Sequence, residues 1–104
     1  MQSVKIGILG LGTVGSGTVN VLKRNSKEIS RRAGRGIEIA KAADRSLDQP
    51  KDCDLTGIEL TDDAFSVIHD PEIQIVIELI GGTGIARDLV MRAIENGKHV
   101  VTAN

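Results

Sequence analysis

The stretch Val4-Lys5-Ile6-Gly7-Ile8-Leu9-Gly10-Leu11-Gly12-Thr13-Val14-Gly15 runs an apolar strand into a Gly-x-Gly-x-x-Gly turn, with a helical pattern immediately behind it. Glycines at this spacing also occur in plain strand-to-helix turns. The order of strand, turn and helix is the context in which they signal dinucleotide binding. Each glycine has its own task. Gly10 allows a tight turn off the strand, Gly12 removes a side chain where a pyrophosphate must meet backbone, and Gly15 lets the helix pack closely. The free N–H groups at the helix start and the positive end of its dipole then face the phosphates. Candidate cofactor contacts here are Gly10, Leu11, Gly12, Thr13, Val14 and Gly15.

Behind the turn, Val14, Thr18, Val21, Leu22 and Ile29 recur at helical spacing, which predicts one helix over 13–32 with these residues facing inward. Ala33-Gly34-Arg35-Gly36 stops it, with glycine available for the cap. A strand over 37–43 follows, then a polar excursion over 46–56. Ile58 and Leu60 suggest a short strand, and Thr61-Asp62-Asp63 reads as the cap of a short helix ending near His69. Asp70-Pro71 terminates that helix. The run Ile73-Gln74-Ile75-Val76-Ile77-Glu78-Leu79-Ile80 is nearly continuous in apolar residues, as for a central parallel strand buried on both faces. A helix over 85–96 carries Ala86, Leu89, Val90, Ala93 and Ile94 on one face and an Asp88–Arg92 pair on the other. A last strand spans 98–102. This alternation requires an α/β fold, a Rossmann-like doubly wound parallel sheet in a single domain.

Composition narrows the partners. The 104 residues include one Phe, no Trp and no Tyr, so the core is built from Ile, Val, Leu and Ala, and aromatic platforms for single-stranded nucleic acid are missing. A net charge of −1 gives no reason to expect a polyanion. Six basic residues between Lys23 and Arg35 read as a solvated helix face at the negative end of a dipole. Cys53 is the only cysteine, which points to a reducing, cytoplasmic setting without a disulfide or structural zinc. No apolar run approaches the roughly 20 residues of a membrane span. No metal spacing and no nucleophile–base pair is visible, so the expectation is a cofactor site with no catalytic and no metal-binding residues.

Ligands of open α/β sheets bind beyond the carboxyl ends of the strands. After the second strand come Asp44 and Arg45, later after Gly15 than the usual ~20 residues because the intervening helix is long. A carboxylate there accepts bonds from ribose hydroxyls, whereas an arginine forks onto a 2′-phosphate. We favour Arg45 as the phosphate contact; an exposed Arg45 paired with Asp48 is the competing reading. Gly81 and Gly82 would let backbone approach mid-cofactor or would simply make a turn. Glu78, inside an apolar strand, reads as a structural carboxylate binding backbone N–H groups rather than a base. His69 reads as a helix-end residue and His99 as a packed or edge residue.

These residues resemble a known family. The sets Gly10-Leu11-Gly12-Thr13-Val14-Gly15, Ala43-Asp44-Arg45-Ser46, Glu78-Leu79-Ile80-Gly81-Gly82 and Gly97-Lys98-His99-Val100-Val101-Thr102-Ala103-Asn104 are similar, in order and along the whole chain, to homoserine dehydrogenases. The last two sets are the specific ones. The resemblance implies reversible interconversion of L-homoserine and L-aspartate 4-semialdehyde, on the pathway to threonine and methionine, with NADP or NAD as cofactor. It implies that Gly10–Gly15 hold the pyrophosphate, that Arg45 lies near the adenosine ribose, and that Gly81, Gly82, Thr102, Ala103 and Asn104 approach the nicotinamide. The family continues with a lysine directly after Thr-Ala-Asn and then a substrate domain. Residues 1–104 are therefore expected to form an NAD(P)-binding domain that binds cofactor without catalysing. The complete enzyme is expected to take L-homoserine and to be a homo-oligomer, with no nucleic-acid or membrane partner. Two alternatives stay open: another Rossmann-type NAD(P)-dependent oxidoreductase, such as one like glucose–fructose oxidoreductase, or a non-catalytic nucleotide-sensing module.

Overall fold

β-Branched residues at alternate positions (Val4, Ile6, Ile8) make β1 (Val4–Leu9), and the chain adds eight further elements in the computed structural model, which describes residues 3–81 and 84–102. They are α1 (Thr13–Arg24), α2 (Ser26–Ala33), β2 (Ile37–Ala43), β3 (Glu59–Thr61), α3 (Ala64–Ile68), β4 (Ile75–Glu78), α4 (Gly84–Glu95) and β5 (His99–Thr102). All strand pairs are parallel, in the order β3-β2-β1-β4-β5. The order reverses between β1 and β4, so their carboxyl ends flank a crevice of the kind that receives ligands. The doubly wound sheet expected from the sequence is the fold observed.

Two apolar layers bury the sheet. On one face Ile6, Ile8, Ala42 and Ile58 pack with Leu11 and with Val19 of α1. On the other, Leu9, Ala43 and Val76 meet Val67 and Ile68 of α3 and Leu89 and Ala93 of α4. Gly7 is required on that second face, because a Cβ there would run into the Val67 side chain and approach Ile73 within 3.1 Å. At Gly7 the β1–β2 register also slips by one residue, from Ile6 opposite Ile39 to Gly7 opposite Lys41. The slip is a bulge that skips Ala40.

Several local expectations are corrected. The long helix is broken at Asn25, whose side-chain amide donates to the Val21 carbonyl at 3.0 Å and competes with the helical pattern. Its buried face is Gly15, Ser16 and Val19, with Leu22 partly covered, whereas Val14 and Val21 are exposed. The β4 strand is shorter than its apolar run: Ile73 is buried in the loop before it, and Leu79 leaves it while still donating to the Leu9 carbonyl. In α4, Ala86, Leu89 and Ala93 are buried but Ile94 is 55% exposed. Asp88 and Arg92 form no ion pair among the described residues; Arg92 lies over the Phe65 ring at 5.7 Å. The basic residues of α1 and α2 are used locally: Arg31 and Arg32 both bind Glu28, and Lys23 binds Asp54.

The side of the sheet remote from the crevice is held by ions. Lys41 of β2 reaches Asp70 at 3.1 Å and Glu59 at 3.5 Å, tying β2 and β3 to the segment that leads into β4. The Glu72 N–H holds the Asp70 carboxyl below the ordinary carboxylate range, and Lys41 adds to this against the opposing effect of burial. A carboxyl depressed in the folded state stabilises fully above its unfolded value of about 3.9 and loses that contribution as pH falls through the folded value. The urea midpoint should therefore drop below about pH 4. Asp70→Asn should lower stability at neutral pH and flatten this acid limb, as read by urea unfolding across a pH series.

Candidate functional site

The turn after β1 is shaped by two close approaches. Gly10 has φ of 100°, in the left-handed region that favours glycine, and a Cβ there would lie 3.0 Å from the Leu79 carbonyl carbon and oxygen. A Cβ on Gly15 would collide with the Gly10 carbonyl oxygen. Gly12 differs from both. It is the N-cap of α1, and a Cβ on it would meet nothing within 4 Å. Protein packing therefore explains Gly10 and Gly15 but not Gly12, which faces open space. No side chain caps α1, so its first N–H groups and its positive dipole end are left for an external acceptor.

This turn forms one wall of a cleft of about 540 Å³ along the carboxyl edge of the sheet. One end is lined by Asp44, Arg45, Ser46 and Lys51, and the other by Leu79, Ile80, Gly81 and Ile85. The cleft thus joins Gly10, Leu11, Gly12, Asp44, Arg45 and Gly81 of the residues singled out in the sequence. Thr13 and Gly12 line a neighbouring cleft that runs beside α1 to Pro50 and Lys51. Val14 is exposed on the first turn of α1, and Gly15 is buried under it. Thr102 ends β5 opposite Glu78. Gly82, Ala103 and Asn104 lie outside the described residues.

At the β2 end, Asp44 and Arg45 part ways. The Asp44 carboxylate turns inward, where Oδ2 accepts from the Leu11 N–H at 3.1 Å and from the Lys51 ammonium at 2.9 Å, while Oδ1 accepts from the Ser46 N–H. Burial alone would push its carboxyl up; Lys51 and the Ser46 and Leu11 amides outweigh this and hold it low. Arg45 is exposed at the mouth of the cleft, and the Asp48 pairing is not seen among the described residues. Sequence reasoning missed Lys51. It lies in the polar excursion, where no periodicity marks it, and only the folded loop carries it back to Asp44. It also missed Asp62 and Asp63, which line the cleft although Asp63 is, as expected, the cap of α3.

Glu78 is almost fully buried, at 1% exposure. Its Oε2 accepts from the Ile80 N–H at 2.6 Å, and its Oε1 accepts from the Thr102 hydroxyl at 2.7 Å. Of the backbone N–H partners expected of it one is observed, that of Ile80; the other partner is a side-chain hydroxyl. His69 closes α3, its ring tilted against Phe65, and His99 is exposed on the edge strand β5.

Comparison with known proteins gives the family and supports the fold. Residues 10–104 match the family model described as homoserine dehydrogenase, NAD binding domain. The whole chain is 61% identical to a homoserine dehydrogenase of Pseudomonas aeruginosa, of which it covers 24%. Among solved structures it is similar over its full length to a homoserine dehydrogenase from Thiobacillus denitrificans (TM-score 0.87, 54% identity, 25% of that chain). It is likewise similar to a homoserine dehydrogenase of S. aureus (TM-score 0.91, 33% identity, 26% of that chain). The chain spans about a quarter of the length of the relatives it matches.

The contrast between Gly12 and Gly15 is open to test. Gly12→Ala should cost under about 1 kcal/mol of stability yet weaken NADPH binding at least about tenfold. Gly15→Ala should cost about 1–3 kcal/mol through overpacking against the Gly10 carbonyl. Thermal melts and calorimetric titration of both variants separate the two effects.

Proposed function

Since the chain belongs to the homoserine dehydrogenase NAD-binding domain family, we propose that it is the cofactor-holding part of an enzyme that interconverts L-homoserine and L-aspartate 4-semialdehyde. The observation that carries this reading is the open space at Gly12 in front of the uncapped start of α1. Backbone N–H groups converging on an empty approach suit a pyrophosphate, and the cleft runs from there in both directions. In this proposal Gly10, Leu11, Gly12, Thr13, Val14 and Gly15 form the phosphate cradle. Asp44 and Arg45 receive the adenosine ribose, and Gly81, Gly82, Thr102, Ala103 and Asn104 border the nicotinamide.

The cofactor class is NAD(P). When bound, it supplies a hydride carrier for a carbon-bound hydroxyl. This chain's own residues bind and orient, and the residues that take the substrate and move its proton belong to the rest of the enzyme. L-Homoserine, a homo-oligomeric assembly and a cytoplasmic setting are part of the same proposal. Among the described residues no helix is long and apolar enough to cross a membrane.

The choice between cofactors turns on Asp44. A free carboxylate at this position would repel a 2′-phosphate, but here the Lys51 ammonium lies 2.9 Å from it and Arg45 stands exposed beside it. Two cations against one carboxylate support NADP, with NAD also accepted. Calorimetric titration with NADPH, NADH and ADP tests the reading. NADPH should bind more tightly than NADH, and Arg45→Ala should weaken NADPH about tenfold while changing NADH little. Absence of binding at millimolar cofactor would overturn binding by this chain alone. Oxidation of homoserine by this chain at the rate of a full-length relative would overturn its assignment as a non-catalytic part.

A further inference from the structure

Among the described strand residues, Glu78 alone is a buried polar residue. β4 alternates its burial, so Glu78 shares a face with Val76, among the residues that α3 and α4 cover. A Val or Ile at position 78 would complete that layer without any polar obligation. A carboxyl group must instead be compensated by hydrogen bonds, since an uncompensated one is strongly destabilising. Its two described partners are neutral, and both lie at the carboxyl edge of the sheet. One is the Ile80 N–H, two residues along its own chain, and the other is the hydroxyl of Thr102, its register partner on β5.

We propose that Glu78 is a positioning residue that fixes the exits of β4 and β5 relative to each other and so sets the nicotinamide end of the cleft. This inference rests on the cofactor reading given above. Three observations join in it. Glu78 stands opposite Leu9, the residue just before the Gly10 turn, so its strand is registered on the phosphate cradle. The bond to Ile80 ties down the chain directly before Gly81, and Ile80 and Gly81 both line the cleft. The bond to Thr102 holds the last described residue of β5, after which the chain continues into Ala103-Asn104. One buried side chain thereby links the two segments assigned to the nicotinamide, while among the described residues the adenosine end, built on β2 and its loop, makes no hydrogen bond with it.

The test compares two ligands on this chain: NADPH, which occupies both ends, and 2′,5′-ADP, which reaches only the adenosine end. Glu78→Leu removes both hydrogen bonds at similar volume. Glu78→Gln keeps both, with its carbonyl accepting from Ile80 and its amide donating to the Thr102 oxygen. We expect Glu78→Leu to raise the Kd for NADPH about tenfold and that for 2′,5′-ADP less than about twofold, with Glu78→Gln close to the unsubstituted chain for both. Equal losses on the two ligands, no loss with Glu78→Leu, or a Glu78→Gln that behaves like Glu78→Leu would overturn the inference. Should Glu78→Leu fail to fold, Thr102→Val, with Thr102→Ser as its rescue, makes the same comparison. If the unsubstituted chain binds neither ligand, the cofactor reading itself fails; if it binds both, the variants judge Glu78 alone.

Discussion

The approach of the Gly10 backbone to its neighbours constrains most of this molecule. On one side the Gly10 carbonyl lies where a Cβ on Gly15 would have to go; on the other, the Leu79 carbonyl lies 3.0 Å from where a Cβ on Gly10 would be. The exit of β1, the start of α1 and the exit of β4 therefore meet at a point with no room for side chains. That meeting brings the carboxyl ends of β1 and β4 together at the reversal of strand order. Hydrogen bonds extend the constraint sideways: Gly10 donates to the Ala43 carbonyl, and Leu79 donates to Leu9. A cleft along this edge follows from the packing of backbone, before any functional side chain is considered.

Most of this was legible in the sequence because it depends on local chemistry. The apolar run Val4–Leu9, the approach of Gly15 to Gly10 and the capping Asp63 each act within a few residues of themselves, so strand, turn and short helix could be read directly. The inward face of α1 was misread for a physical reason. Hydrophobicity marked Val14 and Val21, but contact with the sheet is so close that the buried positions are Gly15, Ser16 and Val19. Small size, rather than apolar character, was the signal there. Lys51 was illegible for a different reason. Its place beside Asp44 is created by the fold of the loop over 46–57, anchored by Asn20 and Lys23 of α1 to the carbonyls of Asp52 and Thr56. Such long-range polar contacts leave no periodic trace.

Asp44 shows how the two kinds of information combine. Its position at the end of β2 was visible in the sequence, but its charge environment was not. The Leu11 amide that it accepts from belongs to the glycine turn itself, so the same carboxylate braces the turn and lines the cleft at the β2 end. The net lowering of its pKa, achieved against burial, keeps it an acceptor throughout the neutral range. A residue with this bracing duty cannot be exchanged to alter cofactor preference without disturbing the turn. Exposed Arg45 braces no turn among the described residues, and under the proposed function it is the position at which preference can change at little cost to the fold.

The two ends of the cleft are also built over different distances in the chain, and this has a consequence for stability. The proposed phosphate and ribose positions come from β1, α1 and β2, one contiguous unit whose register is fixed by six strand-partner pairs. The far end depends on β4 and β5, which are joined by four such pairs and by the single buried side chain of Glu78. β5 is the sheet edge, and the exposed Val101 on it receives no cover from the described residues. An edge strand with one covered side frays before a central one. The side-chain bond at its last pair therefore acts where main-chain pairing is weakest, and there one hydrogen bond of about 1 kcal/mol is a large share of the local stability.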